Sequence, residues 1–241
     1  MKNQYFGDVR DLFKYDIIQH IVLSSTFVDG VLFVSMLTPD DNTREGNKVN
    51  FKKAKAGYNN LKLVNFLYNA LKTKRKVELI KDYYDSLRLK FELINDFLLQ
   101  KQRSYYFEEV LKKLEPSSLI FFDPDNGLEV KNSNEKHLMF DELRMIYDKM
   151  DESSILMIYQ HFPRVKRLEY IKERQLEIKA LLNVPCNFIS DNEIVFFFTS
   201  KNYEVNNELL DILKLYSTRY PKLFFTDELT KSIEQQLALN Y

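Results

Sequence analysis

The stretch L-I-F-F-D-P-D-N-G-L-E-V, residues 119–130, ends an apolar run in Asp123, Pro124, Asp125, Asn126 and Glu129. Carboxylates at the end of a buried strand can accept hydrogen bonds from a substrate. With Glu129 they can also hold Mg²⁺ or Mn²⁺, because hard cations take oxygen ligands. Two other apolar runs end in the same manner. G-V-L-F-V-S-M-L (30–37) leads into Thr38, Pro39, Asp40 and Asp41, and I-L-M-I-Y (155–159) leads into Gln160, His161, Phe162, Pro163 and Arg164. His161 has the chemistry of a general base, Arg164 that of a phosphate or carboxylate ligand, and Gln160 can contact a substrate. A fourth cluster is Y-F-G-D-V-R-D-L-F-K-Y-D (5–16). Asp8 there suits a helix cap and Asp11 the positive end of a helix dipole. Lys14, three residues after Asp11, pairs with it across the helix surface. Gly7, one of 5 glycines, marks a backbone position that needs freedom or close approach.

These residues need a scaffold that brings them together. Val9, Leu12, Phe13, Ile17, Ile18, Ile21 and Val22 have helical spacing and predict a helix over 9–24. The apolar runs 30–37, 118–123 and 154–159 are continuous, as in strands buried on both faces. Helices are expected at 59–73, 105–114, 140–150, 163–183 and 206–218. C-N-F-I-S and E-I-V-F-F-F-T-S pair through an Asp191-Asn192 turn, and a short strand at 223–225 precedes a C-terminal helix. Alternating strands and helices predict a single α/β domain over 1–241. Its sheet is doubly wound, mostly parallel and Rossmann-like, with an antiparallel edge pair near the C-terminus. The charged, tyrosine-rich segment 76–101 reads as an inserted helical element. In such a sheet ligands bind outside the carboxyl ends of the strands, so parallel strands bring the three loop clusters to one edge.

Composition narrows the function classes. Lys plus Arg number 35 and Asp plus Glu 35, so no global basic field recruits nucleic acid. The single Cys186 excludes an intramolecular disulfide and a cysteine-cluster zinc site. No run approaches a membrane span and the N-terminal residues have no signal-peptide core, which predicts a cytoplasmic protein with no membrane partner.

G-D-V-R-D-L-F-K-Y (7–15) resembles the amino-terminal G-N-x-x-D-V-L-K-H motif of bacterial adenine-N6 methyltransferases that modify large-subunit ribosomal RNA. Gly7, Asp11 and Lys14 match, while Asp8 and Tyr15 replace Asn and His. L-I-F-F-D-P-D-N-G-L-E is similar to the strand and D-P-P-Y loop of class I adenine-N6 methyltransferases, with Asp125 and Asn126 in place of Pro and Tyr. I-L-M-I-Y-Q-H-F-P-R stands in place of that family's next core strand. The resemblance implies a methyltransferase-type fold, S-adenosylmethionine as cofactor, and RNA or DNA as partner. It implies that Asp123 accepts a hydrogen bond from the target amino group and that Pro124 shapes the pocket. Gly7, Asp11, Lys14 and Thr38 belong to the cofactor site, where Lys14 holds the cofactor's carboxylate and Asp40 or Asp41 its ribose. Two features depart from the family. The first strand is followed by Pro39 and a late Gly46 in place of a glycine-rich turn, and Asn126 cannot stack on a base as the tyrosine does. The chain also resembles a bacterial family of unknown function with G-D-x-x-D-x-x-K-Y, M-L-T-P-D, D-P-D-N-G-L-E and Y-Q-H motifs.

Two other classes compete with this nucleic-acid-modifying enzyme. One is a divalent-metal phosphodiesterase using Asp123, Asp125 and Glu129, in which Pro-Asp followed by Glu-x-Lys supplies the elements of a nuclease site. Its crowding within P-D-N-G-L-E-V-K argues against a hairpin of that type. The other is a non-catalytic nucleic-acid-binding module, in which K-R-K-V-E-L-I-K-D-Y-Y-D-S-L-R-L-K (74–90) offers cations with Tyr83 and Tyr84 for stacking. The competing reading of that segment is a solvated helix face with packed tyrosines. His20 reads as structural, His137 as solvated in a charged loop, and Cys186 as a small buried residue.

Overall fold

The computed structural model describes residues 1–41 and 46–226. The expected C-terminal helix lies outside them. Helix α1 spans Val9–Ser24, and strand β1 (Gly30–Val34) follows. Helices α2 (Leu61–Ala70) and α3 (Ile80–Asp85) lead to β2 (Lys90–Ile94), and α4 (Arg103–Lys112) leads to β3 (Ser118–Phe122). The two-residue strands β4 (Gly127–Leu128) and β5 (His137–Leu138) form a small parallel sheet of their own. Then come α5 (Phe140–Lys149), β6 (Ile155–His161), α6 (Arg167–Leu182), β7 (Asn187–Ser190), β8 (Ile194–Thr199), α7 (Tyr203–Arg219) and β9 (Phe224–Phe225).

The central sheet has the order β2-β1-β3-β6-β8-β7-β9. The first four strands are parallel neighbours, and β8 returns antiparallel between β6 and β7. The α/β class and the antiparallel strands near the C-terminus are as expected. The segment 76–101 differs from the expectation: after the short α3 it supplies β2, an edge strand of the central sheet. Its K-F-E-L-I pattern leaves Lys90 exposed and Phe91 and Ile94 buried, as suits a strand with only one neighbour.

Side chains alternate along each central strand into two cores. Val31, Phe33, Leu119, Phe121 and Met157 face α1, α2, α3 and α7. Leu32, Val34, Ile120, Phe122 and Ile158 face α4, α5 and α6. The sheet is therefore covered on both sides, which explains why its strands read as unbroken apolar runs. From β1 the chain crosses one way to β2, then returns to β3 on the other side of β1. The carboxyl edge between β1 and β3 is a topological switch point, where chain connections diverge and leave a crevice. Among the described residues, no helix is long and apolar enough to cross a membrane.

Candidate functional site

Because β1, β3 and β6 are parallel neighbours, the loops that follow them share one edge of the sheet. A cavity of about 320 Å³ opens there. Its lining includes Asp41 after β1, the run Asp123–Asn126 after β3, and Tyr159 and His161 at the end of β6. Helix α1 begins at this edge and adds Asp8, Asp11 and Lys14. The segment before it adds Met1, Lys2 and Tyr5.

Helix α1 starts here because Asp8 is its N-cap, its carboxylate accepting from the amides of Arg10 (2.8 Å) and Asp11 (3.1 Å). Asp11 accepts from the amide of Gly7 at 2.8 Å, and Gly7 has φ +88°, a conformation open to glycine. The Lys14 ammonium donates to Asp11 (2.7 Å) and to Asp123 (2.6 Å), and all three side chains are buried. The Asp11–Lys14 pair expected on the helix surface is thus an interior one. Burial works against the charge on Lys14, but the two carboxylates outweigh it and raise its pKa. Burial pushes Asp8, Asp11 and Asp123 above the ordinary carboxylate value.

Asp123 comes directly after β3, and its amide still joins the ladder by donating to Val34 at 3.0 Å. Lys14, one of the two cations expected for it, is its partner. The other, Arg164, lies in an exposed loop away from it. The amino group of Met1 donates to the carbonyls of Met36 and Asp123, each at 3.1 Å. Asp125 accepts from Thr38 Oγ1 at 3.2 Å and faces the ammonium of Lys2 at 3.6 Å; Lys2 is also ion-paired with Asp41.

Of the residues read from sequence, Asp11, Lys14, Asp41, Asp123, Pro124, Asp125, Asn126 and His161 line one cavity. Gly7 and Thr38 stand behind its wall, and Asp40 is exposed and accepts from the amide of Gln4. Gln160 points elsewhere. Its amide group accepts from Leu128 N (2.8 Å) and donates to the carbonyls of Asn126 (3.2 Å) and His161 (2.8 Å), which fastens the loop. That fit needs Gly127: a Cβ there would stand 2.2 Å from Gln160 Nε2. Glu129 accepts from the amide of Phe140 at 2.8 Å, where α5 begins, and is not part of the cavity wall. Among the described residues, no group of three or more His, Cys, Asp or Glu is placed to hold a metal ion.

The sequence reading missed Lys2, Arg10, Lys136 and Tyr159 as cavity residues. Tyr159 carried a signal, since it ends the same apolar run that leads to His161. His137 is buried in β5, not solvated. Tyr83 and Tyr84 are buried in α3, so the 74–90 segment offers no stacking platform. His20 and Cys186 are buried, as read.

His161 and Arg10 also line a second, more open cavity of about 860 Å³. Its rim carries Lys48, Arg164, Lys166 and Arg167, with Glu193 the one acid among the described residues of its lining. Glu193 is held by Lys48 (2.7 Å) and Lys55 (3.3 Å). No family profile matches the chain, and comparison with curated proteins and with solved structures likewise finds no match.

Proposed function

We propose that the cavity at the β1/β3 edge is the small-molecule site of a nucleic-acid-modifying enzyme. On this reading the enzyme is of the S-adenosylmethionine-dependent adenine-N6 methyltransferase type, or a relative that retains the site. One observation carries it: three strand-end loops and the start of α1 converge on one polar cavity beside the topological switch point. Its volume lies at the lower end of the roughly 300–1,000 Å³ usual for ligand sites. The antiparallel return of β8 agrees with the methyltransferase-type sheet that the sequence resemblance implies.

The lining fits a zwitterionic nucleoside in its chemistry. Asp41 and Asp125 offer acceptors for hydroxyl or ammonium groups, Lys14 and Lys136 cations for the carboxylate of the methyl donor, and Tyr5 and Tyr159 aromatic walls. S-adenosylmethionine, when bound, supplies an electrophilic methyl group. Asp123 accepts a hydrogen bond from the amino group to be modified, and Pro124 shapes the wall beside it. The adjoining basic rim of Arg164, Lys166 and Arg167 receives the phosphates of the acceptor, with His161 at the junction between the two cavities.

Calorimetry with S-adenosylmethionine and S-adenosylhomocysteine tests the reading. Saturable binding to the wild type, weakened at least tenfold by Asp125→Ala, is the expected result. No heat with either ligand at roughly 1 mM removes it.

A further inference from the structure

The residues that the proposed methyl-donor site, here the donor reading, needs most are covered. Lys14 and Asp123 are each at most 3% exposed. What covers them is the segment Met1–Tyr5. The Met1 sulfur lies 3.9 Å from Lys14 Nζ, and the Met1 carbonyl accepts from the amide of Thr38 at 2.8 Å. The segment therefore lies across the crevice between the ends of β1 and β3.

Its ties run to the loops after β1 and β3 and to the stretch before α3, where the amide of Val77 donates to Asn3 Oδ1 at 2.9 Å and Arg75 donates to the carbonyl of Gln4 at 2.7 Å. Lys2 is ion-paired with Asp41 and stands 3.6 Å from Asp125. The Gln4 amide donates to Asp40 (3.0 Å), its side chain donates to Asp41 (2.9 Å), and it accepts from the amide of Asp41 (2.8 Å). Apart from the single turn Asn3–Tyr5, the segment has no regular structure. Phe6, fully buried, anchors its far end, and Gly7 at φ +88° joins it to α1. A short segment with a buried aromatic anchor, a permissive joint and a buried ammonium paired with acids beside the cavity has the anatomy of a latch.

We propose that residues 1–5 form a strap that swings about Phe6-Gly7, latched by Lys2 on Asp41 and Asp125. Opening it admits the ligand to Lys14 and Asp123. The inference rests on the donor reading for what enters, and on the geometry alone for the motion.

Amide hydrogen exchange on the ligand-free protein tests the motion. In Lys2→Ala, and independently in Asp41→Ala, the amides of Gln4 and Thr38 should exchange at least about tenfold faster than in wild type. Those of Ile120 and Leu156 in the central strands should be unchanged. Unchanged exchange at Gln4 and Thr38 in both variants overturns the strap. Acceleration at all four amides overturns it as well, because it means general loosening of the fold. Calorimetry and stopped-flow binding of S-adenosylhomocysteine on the same proteins separate the two ideas. Faster exchange with no binding to any of the three proteins removes the donor reading and leaves the strap. Binding with an association rate unchanged in both variants overturns the strap as the route of access.

Discussion

Helix α1 buries acids at its start and at its middle, and the two places treat them differently. Asp16 is met by neutral donors: Tyr216 OH at 2.7 Å, Tyr220 OH at 2.9 Å and Asn60 Nδ2 at 2.9 Å. These come from α7, from the residue after it, and from the cap of α2, so one carboxylate ties three helices to one another. Five residues earlier in α1, Asp11 shares a single lysine with Asp123 beside an open cavity. The first arrangement uses a charge to hold the fold together. The second concentrates charge where a ligand could compensate it. Neutral donors in full supply are what a structural role requires, whereas acids that share one cation beside open space suit a site.

The largest expected effect comes from removing the shared cation. Lys14→Met leaves Asp11 and Asp123 buried without their ammonium, and should destabilise the fold by about 3–5 kcal/mol in denaturant titration. A cost below about 1 kcal/mol would mean that the pair is not sealed from water. Asp16→Asn comes next. It sets an NH₂ group among three donors and weakens charge-assisted bonds, with an expected loss of about 2 kcal/mol. If Asp16 proved neutral to this change while Asp123 did not, the contrast between the two places would be reversed.

The smallest effect is expected at Asp123→Asn, within about 0.5 kcal/mol of wild type near pH 5, because Lys14 keeps Asp11 and one of the competing acids is neutralised. This variant also has a pH signature. Burial raises the pKa of Asp123 in the native state, so at mildly acid pH the folded chain holds a proton that the unfolded chain, titrating near about 3.9, has released. Wild-type stability therefore falls relative to Asp123→Asn as pH rises from about 4 through the raised native value. Paired melts at pH 4, 5, 6 and 7 check the sign, and a variant that loses ground to wild type with rising pH would contradict it.

The sheet was readable because both of its faces are covered. Continuous apolar runs such as L-I-F-F and I-V-F-F-F have no other stable place in a chain of this size. Strand β2 escaped because it sits at an edge, where Lys90 and Glu92 are paired with Asp29 and Lys113 and interrupt the apolar pattern. The acids of the cavity were readable as strand-end clusters. Lys2 was not, because nothing in M-K-N-Q-Y-F-G announces that its ammonium is buried. Its partners Asp41 and Asp125 lie far along the chain, and only the tertiary fold brings them close. The same holds for the pairing of Lys14 with Asp123, which are 109 residues apart.

The contact between Gly127 and Gln160 has an evolutionary consequence. Gln160 fills the space that a Cβ at position 127 would occupy, and the backbone at Gly127 has φ +102°. Position 127 cannot drift alone: a side chain there requires both a shorter residue at 160 and a rebuilt turn. Descendants of this chain that keep the loop after β3 should therefore carry glycine and glutamine as a linked pair. Those that lose the glycine should lose the glutamine as well, together with the shape of the Asp125–Asn126 wall. The pair is thus a two-position signature, separated by 33 residues of sequence, by which remote copies of this cavity can be recognised without reference to its acids.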